Sequence, residues 1–250
     1  MSAPVEVVVV NQSTVVQDAS LEPIIFALQT QVDRDFAPAY GISARLSFVA
    51  DAKTLPDDKW WLAVLDDSDQ ANALGYHDLT SAGLPLGKVF AKSDLAFGDA
   101  VSVTMSHELL EMLADPFINL CIIADDEGIY AYEVGDPVEN DALGYLIDNV
   151  RVSDFVLPAY FEPASGTTRV RTDFVDALRG ARAPALTSEG YISRYNPTNA
   201  QWTQIFGKGV TRKRRSLERA HMPLGSRRWR RSVPMGERLR STVATHGDVA

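Results

Sequence analysis

Residues 101–116, V-S-V-T-M-S-H-E-L-L-E-M-L-A-D-P, constrain this chain more than any other stretch. Set on a helix at 100° per residue with Val101 at zero, Met112, Met105, Leu109 and Leu113 fall at roughly 20°, 40°, 80° and 120°. That stripe has to face a core. His107, Glu111, Asp115 and Glu108 fall at roughly 240°, 280°, 320° and 340°, so all four share one arc. His107 and Glu111 stack one turn apart, the spacing at which two side chains can grip one ion. The pattern predicts a helix over 100–114, ended by Asp115-Pro116.

The run lies close to H-E-x-x-H, in which ligands at i and i+4 bind zinc and the intervening Glu acts as general base. Here the second ligand position holds Glu111. A polar arc is by default the solvated face of an amphipathic helix. Two features weigh against that default. Leu110 and Ala114 flank the arc, and three carboxylates bunched without Lys or Arg repel one another, which a divalent cation relieves. Tyr132-Glu133-Val134-Gly135-Asp136-Pro137 supplies a further ligand: Glu133 if its strand passes the helix, or Asp136 at the strand's end. Taken singly, Glu133 reads as an exposed strand residue and Asp136 as a turn former before Pro137. Asp115 is an additional candidate on the arc.

Around this helix the pattern predicts a β-branched buried strand over 5–10 and a helix over 21–36 with Ser20 as N-cap, stopped by Pro38 and Gly41. Strands follow over 44–50 and 60–65, then a loop over 75–86 and a short strand over 88–91. Short strands are expected around 118–124, 129–134, 145–147 and 150–155, with a turn at Asp125-Asp126-Glu127-Gly128 and a hairpin turn at Asp148-Asn149. Four prolines leave 158–205 irregular. The expected fold class is α+β: a mixed β-sheet with two main helices and an irregular β-rich C-terminal half.

Charge divides the chain further. Residues 208–250 carry 12 Lys and Arg against Glu218, Glu237 and Asp248, a net of +9, which leaves −18 on residues 1–207 out of a total of −9. The expected organisation is one domain over 1–207 and a basic tail over 208–250 with too few apolar residues to hold fixed structure. Its clusters, Arg212-Lys213-Arg214-Arg215 and Arg227-Arg228-Trp229-Arg230-Arg231, have the chemistry to bind a polyanion. The lone Cys121 excludes an internal disulfide and a multi-Cys metal site, and its apolar run reads as buried and inert. No basic n-region opens the chain, and no apolar run reaches the ~20 residues of a membrane span. A soluble protein is expected, cytoplasmic or packaged and released without a cleaved signal peptide. There is no Walker loop and no G-x-G-x-x-G after a strand.

Several segments together resemble a zincin-like, metallopeptidase-like family of bacterial and phage-associated proteins. They are Gly75-Tyr76-His77-Asp78-Leu79, Gly83-Leu84-Pro85-Leu86-Gly87-Lys88-Val89-Phe90, S-H-E-L-L-E-M-L-A-D-P, Y-E-V-G-D-P and V-S-D-F-V-L-P-A-Y-F, and the resemblance covers roughly residues 5–206. It implies a metallopeptidase-like fold with an edge strand above the active-site helix and a Glu/Asp segment after it. It also implies His107 as ligand, Glu108 as general base and Glu111 in the second ligand slot. The Glu at 111 departs from the zincin pattern. A carboxylate ligand lowers the Lewis acidity of zinc, and oxygen-rich ligation favours harder ions such as Mn²⁺ or Ca²⁺.

Two functions follow as expectations. One is a metal-dependent hydrolase, a peptidase, with zinc or another divalent metal held by His107, Glu111 and Glu133 or Asp136. Its peptide or protein substrate would be held by strand addition along 84–90. His77, Tyr132 or Tyr160 would stabilise the oxyanion. The other is a non-catalytic, metal-stabilised structural or virion-associated protein.

Overall fold

The computed structural model describes residues 3–68, 74–163 and 168–210. Its first strand, β1 (Val5–Asn11), buries Val7, Val8, Val9 and Val10 together. A strand apolar on both faces belongs inside a sheet with layers on either side. After β1, α1 (Asp18–Gln31) crosses to β2 (Ala44–Val49), which pairs parallel with β1, and β3 (Trp60–Leu65) pairs parallel on the other edge of β1.

The first helix does not stop where proline was expected to stop it. A π-helical turn over Val32–Phe36 continues α1 into α2 (Ala37–Tyr40), and the Ala37 amide donates to the Val32 carbonyl. Pro38 has no N–H, and it sits at the start of α2, where none is needed. Gly41, left-handed at φ 70°, ends the run.

The largest correction concerns 75–91. The segment expected to be a loop forms β4 (Gly75–Leu79), which turns at Gly83 (φ 80°) into β5 (Pro85–Phe90). β5 lies inside the sheet, parallel to β3, and β4 is its antiparallel edge, giving the order β2-β1-β3-β5-β4. Strand addition along 84–90 is therefore ruled out, because both edges of β5 are already paired. Among the described residues, the edge strand on that side of the sheet is β4.

α3 (Ala91–Phe97) and α4 (Val101–Ala114) follow, and α4 packs against β3, β4 and β5. The C-terminal half holds β6 (Cys121–Ile123), β7 (Ile129–Ala131), the hairpin β8 (Tyr145–Ile147) and β9 (Val150–Val152), then α5 (Pro158–Phe161), β10 (Tyr191–Asn196) and β11 (Gln201–Phe206). Asp148 and Asn149 take φ of 47° and 66°, the left-handed pair expected of that turn. A second antiparallel sheet runs β11-β10-β7-β6. Its β10–β11 hairpin was hidden by Pro197, which falls in the turn between the strands. Cys121 is exposed, not buried, because alternation in β6 turns Cys121 and Ile123 outward.

The fold is α+β with a mixed sheet and two long helices. No helix among the described residues is long and apolar enough to cross a membrane. Gly209 donates its amide to the Ser188 carbonyl and Val210 is buried on the body. The basic clusters at 212–215 and 227–231 lie outside the described residues.

Candidate metal centre

α4 lies between the five-stranded sheet and β9, with residues Ser102 to Ala114 all buried. The apolar stripe predicted from the sequence, Met105, Leu109, Met112 and Leu113, belongs to the main core cluster. The polar arc is buried as well: His107, Glu108 and Glu111 are 7%, 3% and 0% exposed. It is not a solvated face.

A hydrogen-bond chain fixes the helix behind the arc. The Ser106 hydroxyl donates to Gln31 Oε1 at 2.6 Å and accepts from the Ser153 amide at 3.0 Å. Gln31 Nε2 donates to the Ser153 carbonyl at 2.9 Å and to the Tyr145 hydroxyl at 3.1 Å, and that hydroxyl donates to Asp35. Ser106 thus ties α4 to the end of α1 and to the segment after β9, and the next residue, His107, points about 100° further round the helix.

Two groups of three ligand-type atoms form on that side, and they share Glu111. In the first, His107 Nε2 stands 3.3 Å from Glu111 Oε1 and 3.3 Å from Asp136 Oδ1. Charge-assisted N–H···O bonds run at about 2.7–2.9 Å. Two atoms bound tetrahedrally to one ion at about 2.0–2.1 Å lie about 3.3 Å apart. The spacing fits an ion pair of a protonated His107 and equally ligands around one ion. Glu111 Oε1 also accepts from the Gly135 and Asp136 amides, each at 3.3 Å. Gly135 is required here, since a Cβ would stand 2.5 Å from His107 Nδ1.

The second group is His77, Glu108 and Glu111. His77, fully buried on β4, puts Nδ1 3.5 Å from Glu111 Oε2 and 3.9 Å from Glu108 Oε2. Its Nε2–H donates to the Asp115 carbonyl at 3.3 Å. β4 can come this close because Gly75 lies against Glu108, where a Cβ would stand 2.8 Å from Oε1.

Burial pulls the His107 imidazole down, but Glu111, Asp136 and Glu108 outweigh it and hold its pKa well above the ordinary histidine value. The carboxylates that favour a proton there favour a cation for the same reason.

The other expected site residues divide clearly. Glu133 is 1% exposed, so it is not a surface strand residue, and it belongs to neither group. Asp115 turns its carboxylate to the Asn119 and Leu120 amides at 3.0 and 3.1 Å, closing the loop after α4. The Tyr160 hydroxyl donates to the Ala185 carbonyl, and the Tyr132 hydroxyl meets that of Tyr40, so both face other partners. His77 enters the cluster by a route the sequence hid, since its segment looked like a loop.

Comparison of the chain with family models, characterised proteins and solved structures gives no match. The buried His, Glu and Asp side chains are two donor sets that could hold a metal ion.

Proposed function

We propose that the protein is a metal-dependent hydrolase of the zincin-like, metallopeptidase-like kind its sequence resembles. The observation that carries this reading is one helix presenting His107 and Glu111 to Asp136, with Glu108 beside them, beneath an antiparallel edge strand. His107, Glu111 and Asp136 would hold the ion. When bound, it supplies Lewis-acid polarisation of a carbonyl and acidification of water. Glu108 would take the proton of the attacking water on a carboxylate oxygen and pass it to the leaving amine. An extended peptide would be gripped by the outer edge of β4 through main-chain hydrogen bonds. Glu111 in place of a second histidine weakens the ion's Lewis acidity, so turnover slower than that of a His-rich site is expected.

The test is metal content with peptide cleavage. Purified protein should carry metal and cut an unstructured protein substrate. Glu108→Gln should retain the ion of His107 and lose cleavage by a factor of ~100 or more. A protein that holds no metal, and that His107→Ala leaves unchanged, would sink the reading.

One observation favours a second reading. His77, His107, Glu108, Glu111 and Asp136 are all buried, whereas a catalytic ion keeps a position open. An ion that only ties α4 to β4 and the Asp136 segment would fit a structural or virion-associated protein. In that case chelator lowers the melting temperature and no substrate is cut.

A further inference from the structure

We propose that the cluster is a two-ion site in which Glu111 bridges both ions. The proposal rests on reading His107, Glu111 and Asp136 as ligands of a first ion. It adds a second ion held by His77, Glu108 and the other oxygen of Glu111.

Three observations carry it. The two triads have only Glu111 in common, so they describe two positions and not one crowded one. The two oxygens of Glu111 part company: Oε1 stands 3.3 Å from His107 Nε2, and Oε2 stands 3.5 Å from His77 Nδ1. A carboxylate with one imidazole nitrogen at each oxygen is laid out to carry one ion on each. Lastly, His77 is oriented as a ligand is. Its Nε2–H is committed to the Asp115 carbonyl, and Nδ1 faces Glu108 and Glu111. Metal-binding histidines are held in the same way, by a hydrogen bond from the nitrogen that does not bind.

The fold explains how a residue 30 positions before His107 reaches the site. Gly75 and His77 share one face of β4. With no side chain at Gly75, β4 settles onto Glu108, and His77 arrives one pleat further on beside Glu111. Each ion would then have one imidazole nitrogen, one terminal carboxylate and one oxygen of the bridging carboxylate. Paired ions of this kind lie about 3.5–4 Å apart and act on both the attacking and the leaving oxygen of a displacement. Glu108 would reach the second ion through Oε2, with Oε1 against Gly75, so in the two-ion site it acts as a ligand in place of the base role it has with a single ion.

The test uses the full-length chain, stripped of metal and titrated with Mn²⁺. Ions per chain are counted by mass spectrometry after desalting, and the Mn²⁺ spectrum is recorded by electron paramagnetic resonance. Two ions per chain and a spin-coupled pair spectrum are expected. His77→Asn should leave one ion and an uncoupled spectrum, with circular dichroism unchanged. One ion in the wild type, kept in His77→Asn and lost in His107→Ala, overturns the second ion and leaves the first intact. No ion at all overturns both. If His77→Asn fails to fold, the coupled or uncoupled spectrum of the wild type decides alone.

Discussion

α1 and α4 are both helices of 14 residues, and both carry one apolar stripe and one polar face. Their surroundings differ. α1 buries Leu21, Ala27, Leu28 and Gln31 and gives the rest of its surface largely to water. α4 buries every residue from Ser102 onward, its imidazole and carboxylates included. Polar groups on α1 cost nothing to solvate, while those on α4 must each find a partner or remain a penalty. A helix that buries its charged arc as well as its apolar stripe is organised around those charges. That is the physical reason to look for function on α4 and not on α1.

The comparison predicts that the apolar stripes of the two helices are equivalent. Leu28 and Leu109 are both fully buried in the same core. Leu28→Ala and Leu109→Ala should each cost about 2–5 kcal/mol in denaturant unfolding. A much smaller cost for Leu28 would show that α1 is a peripheral cover, and the comparison would lose its footing.

The polar side is where the helices should separate. Asp94 on α3 accepts the Thr104 hydroxyl of α4 at 2.7 Å, and burial pushes its carboxyl up to about 8. The folded protein therefore keeps a proton on Asp94 that the unfolded chain releases near its ordinary value of 3.8. This contribution is fully present below that value and is lost as pH rises towards 8, at about 1.4 kcal/mol per pH unit in between. Unfolding of metal-free protein between pH 5 and 7 should show the slope, and Asp94→Asn should flatten it by one proton's share. An unchanged slope would mean that Asp94 is solvated and α4 less enclosed than described.

Ser106 tests how α4 is held. Ser106→Ala deprives Gln31 Oε1 of its donor and the Ser153 amide of its acceptor inside the core. A loss of about 1–3 kcal/mol is expected, with weaker metal binding because His107 follows directly. A loss without any change in metal affinity would separate the anchoring of the helix from the geometry of its ligands.

Local periodicity carried much of this. The bounds of α4 to within a residue, the valine run of β1, the left-handed turn at Asp148-Asn149 and the common arc of His107, Glu108 and Glu111 all follow from residue spacing. What spacing could not show is what lies opposite a face. The burial of the arc depends on β4 and Asp136, which come from distant parts of the chain, and the turn at Gly83 with Pro85 opening β5 concealed the two strands. Asp115 had the right angle on the helix, but the chain bends back after Pro116 and brings two amides to its carboxylate. Position on an arc tells which groups point together. It does not tell which of them the loop beyond will claim.

The smallest effect is expected on the outer face of α1. Phe26 is 61% exposed, an apolar residue on a helix that otherwise faces water there. Phe26→Ser removes little buried area, so the change in unfolding free energy should stay within about 0.5 kcal/mol. Metal content should not move, because no residue of either triad lies on α1. A cost above about 1 kcal/mol would mean that Phe26 is covered in solution. The outer face of α1 would then be a contact surface, and its contrast with α4 would be one between two buried helices, one enclosed by its own chain and the other by a partner.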